Sequence, residues 1–196
     1  MPCREEETSV FWIETDQELA DAVASWENCV GLDTEFIRAD TFYPIPGLYQ
    51  VASADQVFLI DPLTIKDWQP LRMFLMDPST LIVMHACQED LETLNHHLKV
   101  QPTSVVDTQF AHAFTGVDYS LSYANSVRRT IGVELHKQET RSNWLQRPLS
   151  EDQLTYAADD VIYLGPMYQV LRERMLSGGR LSWFEEDMSI RGTYEE

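Results

Sequence analysis

Asp33 and Glu35, two residues apart in the stretch Val30-Gly31-Leu32-Asp33-Thr34-Glu35-Phe36, are the side chains here whose type and spacing point most directly to chemistry. The stretch reads as a buried strand, and side chains on a strand alternate faces, so the two carboxylates point the same way. Like charges side by side at the edge of a core are costly unless a cation lies between them. A hard divalent cation meets that need, because Mg²⁺ and Mn²⁺ prefer oxygen ligands and can bridge carboxylates to a substrate phosphate. Taken alone, Asp-x-Glu equally describes two solvated acids where a strand leaves its sheet.

Two more acids stand where they would join such a site. Tyr156 and Asp160 are four residues apart in a segment whose apolar stripe runs through Ala157, Val161, Leu164, Tyr168 and Leu171. They therefore share one helical face, with Asp160 on the flank of the stripe. Asp159 is rotated about 100° away, toward solvent. An ordinary structural Tyr–Asp contact fits that spacing too. Asp90 falls in the first turn of a helix after a buried strand, at the end of the sheet where open α/β sites form. An acid that merely stabilises a helix N-terminus, and its neighbour Glu89, compete for the same reading.

Charge limits the partners. With 14 Lys and Arg against 32 Asp and Glu, the formal charge is −18. That argues against a broad basic face gripping duplex nucleic acid, because such affinity comes from neutralising phosphates. Nucleic acid as a substrate stays open, since bound metal ions and a local basic patch can act in a repulsive field. Five basic residues, Arg128, Arg129, Lys137, Arg141 and Arg147, fall in one window, the candidate phosphate-binding patch. A solvated charged surface describes that window equally well.

The elements that must position these groups follow from pattern. At 196 residues, 44% hydrophobic and 23% charged, the chain fits a single domain over 1–196, with a core at about 10–176 and a tail at about 177–196. Strands are predicted at 9–13, around Asp33, at 48–52 and 57–60, at 81–84 and at 105–106. The short links between the second, third and fourth suggest an antiparallel meander with the carboxylate strand at one side. Helices are predicted after the Thr15/Asp16 cap, at 68–76, from about 88 to 98, at 110–114, at 121–131 with Ser120 as cap, and from the Ser150/Gln153 capping box to about 176. Asp107 reads as a helix cap, and His85 as a residue that fixes a strand end. Gly178-Gly179 closes the last helix, and the acidic, aromatic tail has little periodicity. No apolar run approaches the roughly 20 residues of a membrane span, and the acidic start lacks a secretory profile. Three widely spaced cysteines, Cys3, Cys29 and Cys87, suggest reduced thiols and a cytoplasmic protein, with Cys29 and Cys87 as small core residues.

Three motifs in order carry a resemblance: Leu-Asp-Thr-Glu-Phe at 32–36, His-Ala-x-x-Glu-Asp-Leu at 85–91, and Tyr-Ala-Ala-x-Asp-Val-x-Tyr-Leu at 156–164. Together with Tyr43-Pro44, Leu59-Ile60-Asp61-Pro62-Leu63, Asp107-Thr108-Gln109 and the stretch Lys137 to Trp144, they resemble the ribonuclease D family, within the DEDD exonucleases whose third motif carries a tyrosine. The resemblance implies an α/β, RNase H-like fold with a mixed five-stranded sheet flanked by helices. It implies metal-dependent 3′→5′ hydrolysis of RNA ends to 5′-mononucleotides, with two divalent cations, Mg²⁺ or Mn²⁺. Asp33, Glu35, Asp90 (which directly precedes Leu91) and Asp160 would be the metal ligands, and Tyr156 would orient the attacking water. Lys137 and Arg141 match basic positions that would contact a substrate phosphate, although their spacing also suits ion pairs with Glu134 or Glu139.

The implied partner is a single-stranded RNA 3′ end, whose splayed terminal nucleotide can reach the metals. DNA ends and short oligonucleotides are alternative substrates, because no motif reports on the 2′-hydroxyl. A catalytically inactive nucleic-acid- or partner-binding module is the non-enzyme alternative, and it would have no use for so costly an acid cluster. Full-length ribonuclease D adds helical domains that engage RNA. Their lack here implies either a piece of a longer protein or a stand-alone form that takes short oligonucleotides or works as a homo-oligomer. Asn143, where relatives can carry an acid, lies outside the metal motifs.

Overall fold

The runs of β-branched and apolar residues between polar turns form six strands in the computed structural model, which describes residues 8–38, 41–116, 120–135 and 142–191. In chain order these are β1 (Ser9–Ile13), β2 (Cys29–Ile37), β3 (Ile45–Ser53), β4 (Gln56–Ile60), β5 (Leu81–Met84) and β6 (Val105–Asp107). The helices are α1 (Asp16–Ser25), α2 (Gln69–Met76), α3 (Gln88–Thr93), α4 (Thr108–Phe114), α5 (Tyr123–Ile131), α6 (Glu151–Ile162), α7 (Leu164–Ser177) and α8 (Leu181–Arg191). A π-helical turn, Leu94–Leu98, continues α3.

The strand order is β1-β4-β3-β2-β5-β6. The meander of β2, β3 and β4 is antiparallel, as predicted. β1 joins β4 in parallel, β5 joins β2 in parallel, and β6 joins β5 in parallel. The carboxylate strand β2 therefore bounds the meander but lies inside the whole sheet, covered on both sides. The sheet has one strand more than the family resemblance implies. All six, the three-residue β6 included, fall where the chain's own apolar pattern predicts strands.

Local signals set most boundaries. Thr15 and Glu18 form a reciprocal capping box at the start of α1, and Ser150 with Gln153 does the same for α6. Asp107 caps α4 by accepting from the Gln109 and Phe110 amides at 2.8 and 3.3 Å. The same carboxylate accepts from the Ala86 and Cys87 amides, tying down the turn that launches α3. His85 bridges Thr108 Oγ1 at 2.8 Å and the Leu121 carbonyl at 3.0 Å, so both ring nitrogens serve structure.

Several expectations change. The single helix predicted from Ser150 to about Leu176 is two, α6 and α7, separated at Tyr163. Pro166 has no N–H to offer the carbonyl one turn back, so the helix cannot pass through unbroken. The cap of α5 is Ser122 rather than Ser120, and the helix starts two residues later than predicted. The tail is not irregular: Leu181, Phe184 and Met188, spaced as one helical face, bury α8 against α4, α7 and β6. Cys87 is buried as expected, but Cys29, the first residue of β2, is exposed.

Candidate active site

Glycine decides where the site forms. Gly31, Asp33 and Glu35 alternate along β2 and face the same way, toward α6 and α7. A Cβ on Gly31 would lie 2.7 Å from the Val161 carbonyl oxygen and 3.0 Å from Leu164 Cβ. Only a glycine lets the α6–α7 junction press this closely on the sheet. That approach carries Asp160, one residue before Val161, in over Asp33 and Glu35.

Among the described residues, Asp33, Glu35 and Asp160 each offer a carboxylate oxygen, all within 4.8 Å of one another. Asp90 stands beside this trio rather than in it. It is 7% exposed, and its Oδ1 accepts from the Thr34 amide at 3.1 Å and the Thr34 hydroxyl at 2.6 Å. Glu89 next to it is exposed and lies 3.9 Å from Arg38, so α3 turns only one of its two adjacent acids inward. Tyr156 hydrogen-bonds the Asp160 carboxylate, and its ring lies 6.0 Å from that of Trp144.

The electrostatics show what this cluster lacks. Burial, followed by the charges of Asp90, Asp160 and Glu35, holds the Asp33 carboxyl well above the usual carboxylate range. Burial and the charges of Asp160 and Asp90 push Glu35 up to about 8. Burial likewise raises Asp90 and Asp160 to about 7, against the hydrogen bonds each receives. Among the described residues, the charges bearing on Asp33 and Glu35 are all other carboxylates, and none of them neutralises the pair. A set of convergent oxygen donors under mutual repulsion fits a hard divalent cation well.

Asp159 lies on another side of α6. It helps line a cleft with Trp12 and Leu154, and its backbone carbonyl accepts from the Tyr123 hydroxyl at 2.9 Å. Lys137 and Arg141, the candidate phosphate contacts, lie outside the described residues. Of the basic window, Arg147 is structural: its guanidinium pairs with Asp61 and donates to the Gly47 carbonyl at 2.7 Å.

Three contributors escaped the sequence reading. Tyr123 packs edge-on to His85, and its phenol is raised by burial and by the charges of Asp160 and Asp33, so it walls the site. Trp144 reaches the site because β3 bulges at Gly47, where Glu35 pairs with Leu48 but Phe36 pairs with Pro46. A Cβ on Gly47 would lie 2.6 Å from Trp144 Cβ. Gln50, opposite Asp33 on β3, is the third. An aromatic after Ser122, an Asn-Trp pair and a Gln in an apolar strand carry no local signal of these roles.

A family model described as 3′-5′ exonuclease matches residues 10–176, and the chain belongs to that family. Within it, the resemblance read from the three motifs holds. The ribonuclease D of Pseudomonas paraeruginosa is 44% identical over 180 residues, covering 91% of this chain and 48% of that protein. The ribonuclease D of Musicola paradisiaca is 46% identical over 156 residues, covering 80% and 41%. The crystal structure of Escherichia coli RNase D, described as an exoribonuclease involved in structured RNA processing, superposes with a TM-score of 0.88 at 39% identity, over 96% of this chain and 52% of that one. Brucella melitensis NrnC shares the fold at a TM-score of 0.81 and 24% identity, over 94% and 91%. The chain spans about half the length of the curated relatives it matches.

Proposed function

We propose that this chain is a metal-dependent exoribonuclease that removes 5′-mononucleotides from RNA 3′ ends, with Asp33, Glu35, Asp90, Tyr156 and Asp160 as its working residues. The convergence of three carboxylates within 4.8 Å, brought together from β2 and α6, carries the reading. The 39% identity to an enzyme described as an exoribonuclease supports it.

Two divalent cations, Mg²⁺ or Mn²⁺, would neutralise the carboxylates and the scissile phosphate and activate a water. Asp33 would be shared between the two positions. Glu35 and Asp160 would complete the one on the side of the attacking water, and Asp90, pinned by Thr34, would serve the other. Tyr156 keeps its proton across the neutral range, because burial and the nearby carboxylates raise its phenol. Its hydroxyl, tethered to Asp160, would hold the water in line with the phosphorus. The water oxygen bonds to phosphorus as the P–O3′ bond breaks, and the departing 3′ oxygen leaves with a proton. The substrate is a single-stranded end, with Lys137 and Arg141 as candidate phosphate contacts. Action in the cytoplasm is part of this proposal. No helix among the described residues is long and apolar enough to cross a membrane.

The test is an end-labelled oligoribonucleotide and its DNA counterpart, each incubated with Mn²⁺, with Mg²⁺ and with chelator. Metal-dependent release of mononucleotides from RNA is the expected result. Release from DNA alone moves the substrate assignment to DNA. Binding without hydrolysis under every metal condition overturns the enzyme reading.

A further inference from the structure

Gln50 is fully buried in the middle of β3, and neither its amide nitrogen nor its amide oxygen has a hydrogen-bond partner among the described residues. An amide left unsatisfied in the core is costly, whereas a leucine or methionine of similar volume would cost nothing there. Its position supplies the missing partner. Gln50 is directly opposite Asp33 in the antiparallel pairing of β3 with β2. Opposed residues share a face, with Cβ atoms about 4.5–5.5 Å apart. Both side chains thus lie under α6, which packs across β2, β3 and β4. On the other side of Gln50 is Leu59 of β4, which offers nothing polar.

We propose that Gln50 is a positioning residue for Asp33: in the ion-loaded protein its side-chain NH₂ donates to the Asp33 carboxylate and holds the rotamer that presents both oxygens to the cations. The inference rests on the metal-dependent reading of the site given above. The chemistry favours it, because a hydrogen bond to an ionised carboxylate is stronger than one to a neutral acceptor. Outer partners of this kind orient ligands in many metal sites. Being buried, Gln50 cannot touch substrate, so its effect must pass through Asp33.

Mn²⁺ affinity, read by calorimetry without substrate, and thermal unfolding in chelator test this together. Gln50→Met should weaken Mn²⁺ binding about 10- to 100-fold, while Tm in chelator is unchanged or raised because the orphan amide is gone. Unchanged Mn²⁺ affinity with a lowered Tm would overturn the proposal and leave Gln50 as packing. Should the variant fail to fold, the wild-type protein answers by NMR. The Gln50 side-chain amide protons should move downfield and exchange more slowly as Mg²⁺ is added, and an unmoved pair of resonances overturns the proposal. If the wild type binds no Mn²⁺ at all, the metal-dependent reading itself fails. If the wild type binds and Gln50→Met binds equally well, only the inference about Gln50 fails.

Discussion

Asp61 and Asp33 are both carboxylates held at the sheet, yet the fold treats them in opposite ways. Asp61, just past β4, is 2% exposed and fully answered. Arg147 donates to its two oxygens at 2.7 and 2.6 Å, and the Leu63 amide adds a third bond at 2.9 Å. Asp33 is gathered with Glu35 and Asp160 within 4.8 Å, and the charges around it are those of more acids. The chain therefore can neutralise a buried acid with its own guanidinium and does so at one corner. At the other it assembles acids, and no described residue supplies the countercharge. The first arrangement contributes to stability, and the second sacrifices some of it for a site.

Substitution at each corner should break a different property. Asp33→Asn should lower exonuclease activity by about 10³-fold or more, the loss of several kcal/mol of transition-state charge stabilisation. Its Tm in chelator at pH 8 should hold or rise, because one repelling charge is gone. A large fall in Tm with activity retained would show that the two corners are alike after all. Arg147→Ala should do the reverse. Leaving Asp61 buried without its partner costs about 3–5 kcal/mol, roughly 10 °C in Tm. The folded fraction should still hydrolyse RNA, with a moderate loss transmitted through the loop that carries Trp144.

The contrast also predicts a pH dependence. Glu35 at about 8 and Asp90 and Asp160 at about 7 bind protons more tightly in the folded state than in an unfolded chain, where carboxyls titrate near 4. Between those values the folded state holds the extra protons, so stability falls as pH rises. The buried His112, depressed to about 4 by burial, acts in the opposite sense, but only below about pH 6.5, the usual imidazole value. The clean window is therefore pH 6.5 to 8. In chelator, Tm should decline across it. Mn²⁺ should remove most of that decline, so the Tm gain on adding Mn²⁺ is larger at pH 8 than at pH 6.5. An equal gain at both pH values would mean that the ion is not displacing protons from these acids.

How much of this was legible beforehand depends on how local the cause is. Strand alternation put Asp33 and Glu35 on one face, helix spacing put Tyr156 and Asp160 on another, and the caps at Thr15, Asp107 and Ser150 are short-range hydrogen bonds readable from neighbours in sequence. Two residues past Gly178-Gly179 begins a face, Leu181, Phe184 and Met188, whose spacing was present but short and interrupted by acids. The break before Leu164 was signalled by Pro166 two residues on, and the apolar stripe running through it hid that signal. What no local pattern carries is the tertiary pairing. Gly31 matters only because the Val161 carbonyl arrives on it, Trp144 only because β3 bulges at Gly47, and Gln50 only because the β2–β3 register sets it against Asp33.

The finest test of the contrast uses two adjacent acids on one helix. Asp160 and Asp159 differ by about 100° around α6, which places one carboxylate in the repelling cluster and the other beside Trp12 and Leu154 in a separate cleft. Asp159→Ala keeps the backbone carbonyl that receives the Tyr123 hydroxyl, so the wall of the site stays in place. It removes a charge that raises the proton affinity of Asp160, and so slightly eases ionisation there. It also removes one unit of the negative field that draws cations in. The two effects oppose each other, and kcat/KM should stay within about twofold of wild type, as for surface changes generally. Asp160→Asn, by contrast, removes a carboxylate of the cluster and should cost nearly as much as Asp33→Asn. Comparable losses at 159 and 160 would mean that α6 presents a different face to the metals than its packing on Gly31 requires.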